Sequence, residues 1–204
     1  MPSRLPPATR ALLIVNILVF LLQLMWPDLV LAGALWPLDS GLFAPWQIVT
    51  NAFMHGGFDH LLFNMFALYM FGGAIEYALG TPRFVVYYFV CLIVASLLQL
   101  VVLRYFLHDA HTPTVGASGA IFGLLLAFGM LFPQEKLMLI FLPIPMPAWL
   151  FVIGYALVEL LSGVTGLMPG VAHFAHLGGM LGGWVLLQYW RGRLPFKPRR
   201  RLLR

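Results

Sequence analysis

The sequence predicts an all-α polytopic membrane protein: a bundle of six transmembrane helices with a first outer loop embedded in the membrane. Two observations carry this. Apolar residues make up 61% of the 204 and charged residues only 9%, with a mean hydropathy of +0.91, whereas a soluble domain carries nearer ~25% charged residues. The apolar residues also fall into six runs near the ~20 residues that span a bilayer. The length suits one domain.

Residues 1–10 read as a short N-terminal tail, 11–190 as the six-helix domain and 191–204 as a basic tail. The first span covers Ala11 to Trp26 and ends at Pro27-Asp28. The second runs from Asp59 to Leu79, where Gly80-Thr81-Pro82 breaks it. The third is Phe84 to Leu103. The fourth, Gly116 to Phe132, is closed by Pro133. The fifth is Pro147 to Leu161, preceded by a segment, Leu137 to Leu142, that reads as dipping into the membrane. The sixth is Val171 to Trp190. Between the first two spans, Pro27 to Phe58 is too apolar for a solvated connection, and Trp36 and Trp46 favour the interface, so this loop is expected to lie in the outer leaflet.

Basic residues orient the spans. Arg4, Arg10, Arg83, Lys136 and the cluster from Arg191 to Arg204 fall on one side, and Arg104 falls on the other with Asp28, Asp39, Asp59 and Asp109. The positive-inside rule places both termini in the cytoplasm. Arg4 and Arg10, an apolar run and Ala32-Gly33-Ala34 also mimic a secretory signal peptide. Pro27-Asp28 separates the run from that site, and cleavage would leave an odd number of spans, so a retained helix is expected. The net charge of +5 does not point to nucleic acid, because the basic residues sit at the ends of apolar runs. Arg199-Arg200-Arg201 suits either topology or anionic lipid. The lone Cys91 excludes an internal disulfide and reads as a small buried residue.

The unusual polar residues lie on spans two, four and six, which enter the membrane from the same face. His60 and Asn64, four apart, share a face of span two. Ser118 begins span four in Gly116-Ala117-Ser118-Gly119, and His176 lies one to two turns into span six. Gly119 and Gly123 on one helix, and Gly179 and Gly183 on the other, provide small-residue faces that let backbones approach. Such packing brings an imidazole within reach of a serine hydroxyl. The hydroxyl needs a base to become a nucleophile, and a histidine can take its proton and return it to a leaving amine. Gly116 gives the turn room for a substrate backbone. The His60 imidazole, the Asn64 amide and the Ser118 backbone N–H are candidate oxyanion donors. No intramembrane Asp is placed to orient His176, so the expectation is a Ser118–His176 dyad. His173 shares the His176 face at shallower depth and ranks well below it as the base. His55 reads as a structural loop residue, His108, Asp109 and His111 as an exposed loop rather than a metal triplet, and Glu76 and Glu159 as paired with backbone or loop groups. Neither H-E-x-x-H nor a pair of intramembrane Asp residues is present. No metal or other cofactor is expected.

The combination His60-Leu61-Leu62-Phe63-Asn64, Gly116-Ala117-Ser118-Gly119 and Ala175-His176-Leu177-Gly178-Gly179 resembles the rhomboid family of intramembrane serine proteases, in family order and over nearly the whole chain. The resemblance implies a six-helix core, a Ser118 nucleophile, a His176 base, oxyanion contacts from His60 and Asn64, a membrane-embedded loop over Trp46 to Phe58 and a structural Glu76. One departure is Val171, where rhomboids often carry glycine; here Gly170 is adjacent. The function expected is intramembrane serine endopeptidase activity on single-pass membrane-anchored substrates, in a bilayer such as the bacterial inner membrane. The alternative is a non-catalytic rhomboid-like factor that binds or escorts membrane proteins, a class that loss of Ser118 or His176 would mark. A small transporter would need polar residues along the full depth of a span, and these cluster near one face.

Overall fold

A computed structural model describes residues 5–138, 144–168, 170–196, 198 and 202. Arg4, Lys197, Arg199, Arg200, Arg201 and Arg204 of the basic ends, and most of the Leu137–Leu142 segment, lie outside the described residues. The chain forms an all-α membrane bundle. Its first rod is α1 (Pro7–Met25), started by Pro6 and Pro7, whose fixed φ suits a helix start. Short helices α2 (Asp28–Gly33) and α3 (Gln47–Thr50) build the first loop. The second rod joins α4 (Phe58–Ala67), a π-helical turn at Leu68–Gly72 and α5 (Gly73–Leu79). The third is α6 (Thr81–Val102), which continues through a π-helical turn to Leu107. It is followed by α7 (Ser118–Leu131), the antiparallel pair of β1 (Lys136–Leu137) and β2 (Met146–Pro147), α8 (Ala148–Thr165) and α9 (His173–Trp190).

Four of the rods are long and apolar enough to cross a bilayer: Pro7–Met25, Phe58–Leu79, Thr81–Leu107 and Ala148–Thr165. The other two, α7 and α9, supply the Ser118 and His176 motifs. At 14 residues α7 is short, and glycines and histidines dilute the apolar character of α9. Both are inner helices. Packing against neighbours, rather than lipid exposure, fixes their place.

Glycines make that packing possible. On α9, Gly178 and Gly182 face Val94 and Ala95 of α6, while Gly179 lies on the carbonyl of Gly119 in α7 and Gly183 on the Tyr87 hydroxyl of α6. That hydroxyl donates to the Gly123 carbonyl at 2.8 Å. Buried Cys91 fills the space beside Gly123. The core continues through Leu124, Tyr88, Phe84 and Leu187, each fully buried.

Polar clamps join the first rod to the rest. Buried Glu76 accepts the Ala8 N–H at 3.0 Å, the Thr9 N–H at 2.7 Å, and the hydroxyls of Thr9 and Thr81 at 2.8 Å each. A carboxylate thus caps the α1 N-terminus, where the helix dipole favours negative charge. At the other end, the Gln23 amide donates to the His55 carbonyl at 2.9 Å and accepts the His55 N–H at 3.0 Å. With Thr9, Leu12, Asn16, Phe20 and Gln23 buried, α1 is an integral rod of the bundle.

The first loop folds around Gln47. Its side chain accepts the N–H groups of Trp36 and Ala44 and donates to the Leu42 carbonyl. Asn51 then donates to the Gln47 carbonyl and the Ser96 hydroxyl of α6. Trp46 is 62% exposed, and its indole donates to the Ala32 carbonyl at 3.1 Å. Satisfying the backbone groups internally lets an irregular segment lie beside apolar helices.

Candidate active site

The loop also sets the turn before Ser118. Leu35 and Thr114 exchange two backbone hydrogen bonds of 2.9 Å, and the Gly116 N–H donates to the Asn51 carbonyl at 2.9 Å. Gly116 holds φ at +120°, a region that side chains rarely enter; a Cβ there would stand 2.7 Å from Cε1 and Nε2 of His60 and 3.7 Å from Ser118 Oγ. Glycine is required twice over, for its torsion and for this space. The chain then enters α7, with half-buried Ser118 as its first residue.

Across the glycine seam, His176 Nε2 lies 2.8 Å from Ser118 Oγ. The His176 ring stacks on Phe122 at a 4.1 Å centroid separation and an interplanar angle of 7°. Phe122 is one turn after Ser118, so a single helix carries both the hydroxyl and the plate against which the imidazole rests. His60 lies on the other side. Its Nδ1 accepts the Gly56 N–H at 3.3 Å, which leaves the proton of a neutral ring on Nε2, beside Gly116. Asn64, 6% exposed, donates from Nδ2 to the His60 carbonyl at 2.8 Å, and its Oδ1 has no protein partner.

One element of the site departs from the sequence-based expectation. Glu159 on α8 is not paired with backbone or loop groups. Its Oε2 lies 2.9 Å from His176 Nδ1 and 2.7 Å from His173 Nδ1, and all three side chains are buried. A carboxylate therefore stands behind His176, where a bare dyad was expected. Glu159 precedes His176 by 17 residues in another helix, and no helical periodicity links the two. His173 faces Glu159 and the loop carbonyls of Leu167 and Met168, while His176 is the histidine on Ser118.

The remaining histidines lie apart from Ser118. His55 is buried edge-on to His60 at 5.2 Å between centroids. In the loop after α6, Asp109 accepts the N–H groups of His111 and Thr112 at 2.7 and 3.0 Å. Hydrogen bonds from the Thr112 side chain and the His111 backbone hold its carboxyl below the usual range. That turn explains the His108, Asp109 and His111 cluster locally.

A family model for the rhomboid domain matches residues 43–192. The chain belongs to the rhomboid family. It is 35% identical over 164 residues to the mitochondrial rhomboid protein 1 of Saccharomyces cerevisiae, covering 77% of this chain and 45% of that protein. It is 32% identical over 122 residues to the rhomboid protease GlpG of Klebsiella pneumoniae, covering 58% and 41%. It is also 32% identical over 149 residues to the putative rhomboid protease YdcA of Bacillus subtilis, covering 69% and 65%. The chain thus spans less than half the length of the first two. In this rhomboid chain, sequence reasoning missed Glu159 and Phe122. For Phe122 a signal existed, its four-residue spacing from Ser118; for Glu159 the only signal was an acidic side chain inside an apolar run.

Proposed function

We propose that this rhomboid chain is an intramembrane serine endopeptidase, with Ser118 as nucleophile and His176 as general base. The observation that supports this most strongly is the 2.8 Å approach of His176 Nε2 to Ser118 Oγ. As Oγ bonds to a scissile carbonyl carbon, its proton passes to Nε2, and the same proton then goes to the leaving amine. The acyl-enzyme is released by water. Oxyanion charge is met by His60 Nε2–H, the Asn64 amide and the Ser118 N–H, each donor contributing on the order of 3 kcal/mol. Gly116 keeps the space between the His60 ring and Oγ open for the substrate carbonyl.

The substrates are single-pass membrane-anchored proteins cut in or near their spans, because Ser118 and His176 lie on helices of a membrane bundle. By the positive-inside rule, the basic ends support an orientation with both termini in the cytoplasm. The setting we infer is a bacterial inner membrane, with lipid and membrane proteins, not nucleic acid, as partners. Purified chain in liposomes should cleave a single-span reporter, and Ser118→Ala should not. A wild-type protein that binds the reporter but never cleaves it would make the chain a non-catalytic membrane-protein binder.

A further inference from the structure

Around an ionised Glu159 the hydrogen-bond inventory does not balance unless one histidine carries an extra proton. His173 offers Nδ1 to a carboxylate oxygen at 2.7 Å and Nε2 to the carbonyls of Leu167 and Met168 at 3.2 and 3.4 Å. Every partner is an acceptor. A neutral imidazole has one donor and one acceptor nitrogen, so a neutral His173 would press a lone pair against an acceptor in a buried site. With Glu159 ionised, the imidazolium, with two N–H donors, satisfies all of them. His176 differs. Its Nδ1 faces the same carboxylate oxygen at 2.9 Å, but its Nε2 faces a hydroxyl that can donate.

We propose that Glu159 is a positioning residue, ion-paired to a doubly protonated His173, that holds the His176 proton on Nδ1 and thereby leaves Nε2 free to accept from Ser118. This rests on the proposed serine-protease reading and extends it. The charge count is the reason for the second histidine. A lone carboxylate buried behind the base would carry an uncompensated charge at high desolvation cost. The His173 imidazolium supplies the opposite charge 2.7 Å away, without touching Ser118. Other titratable side chains bear on the cluster: Tyr155 on α8 interacts with Glu159, and His60 on α4 interacts with His176. Neither hydrogen-bonds the carboxylate in the described structure. A tetrahedral metal centre is a poorer description of the same three groups, because ligand atoms about 2.0–2.1 Å from a metal sit about 3.3 Å apart. The observed 2.7 and 2.9 Å separations are those of shared protons.

The direct test is ¹⁵N NMR of wild-type protein carrying ring-labelled histidine, in detergent at neutral pH, with resonances assigned by single His→Gln substitutions. The expected spectrum has both ring nitrogens of His173 protonated and the His176 proton on Nδ1 alone. A neutral His173, or a His176 proton on Nε2, overturns the proposal. Kinetics give a second arm. Glu159→Gln should lower kcat for the reporter by ~10²–10⁴-fold, as loss of the correct tautomer does in serine proteases, with little change in KM. Glu159→Asp should retain more activity than Glu159→Gln. Wild-type kcat in Glu159→Gln also overturns it. If wild-type protein fails to cleave, the protease reading fails, but the imidazole spectrum still decides the positioning role.

Discussion

Replacing Gly179 by alanine adds one methyl group at the closest approach of α7 and α9. Its Cβ would overlap the Gly119 carbonyl oxygen and stand 2.7 Å from that carbonyl's carbon, where ordinary contact begins near 3.4 Å. These atoms are backbone, so no side-chain rotation relieves the overlap. The helices must part by roughly 0.7 Å or more, since a close-packed interior offers no slack. His176 and Ser118 sit on these same two helices, about one turn away, at 2.8 Å. The added separation takes that pair beyond the ~3.2 Å reach of an effective hydrogen bond. Misplacement on the order of 1 Å can cost ~100-fold in rate, and that is the loss expected in the rate of active-site labelling by a fluorophosphonate. Gly154→Ala in α8 is the control. A Cβ there meets nothing within 4 Å, and alanine is favoured over glycine within a helix by ~1 kcal/mol. Gly154→Ala should therefore label normally and melt no lower than wild type. Wild-type labelling by Gly179→Ala would refute the argument that glycine packing sets the Ser118–His176 distance.

Glu76→Gln should lower stability by ~2 kcal/mol, because charged acceptors are lost from the α1 N-terminus. The loss is read as a reduced melting temperature in detergent, with normal labelling at low temperature; an unchanged melt would remove the clamp between α1 and α5. His55 gives a pH prediction. In the loop ahead of α4, burial first and then the neighbouring His60 bring its pKa down to about 4 from 6.5. The folded protein therefore binds fewer protons than the unfolded chain between those values, and stability falls as pH drops through that window, by up to roughly 3 kcal/mol. His55→Asn should flatten the slope of melting temperature against pH between 6.5 and 4, and an unaltered slope would show that His55 is not its source.

The parts of the molecule legible in sequence are those governed by local rules. Among the described residues, apolar runs and their Pro and Gly breaks located the four rods long and apolar enough to cross a bilayer, and the helices α7 and α9, to within a few residues, with α6 longer than expected because its helix persists through a π-helical turn to Leu107. His60 and Asn64, Gly116 and Ser118, and His176 stood out because polar groups and glycines are conspicuous in apolar helices. The four-residue glycine spacing also pointed to the α7–α9 seam that the structure shows at Gly119 and Gly179. Glu159 was different. Its contact with His173 and His176 depends on how α8 leans on α9, which no spacing within one helix encodes. The same holds for Gln47, whose bonds to Trp36, Ala44 and Leu42 come from the closure of an irregular loop. The exchange between Leu35 and Thr114 joins segments nearly eighty residues apart and has no local signature.

The central claim is that Ser118 is a nucleophile activated by His176. The most direct measurement is mass spectrometry of protein treated with a fluorophosphonate, with the adduct located by peptide mapping. The account predicts one adduct per chain, on Ser118, and a sharp loss of labelling rate in His176→Ala while His173→Ala still labels. An adduct on another residue, or undiminished labelling of Ser118 in His176→Ala, would contradict it.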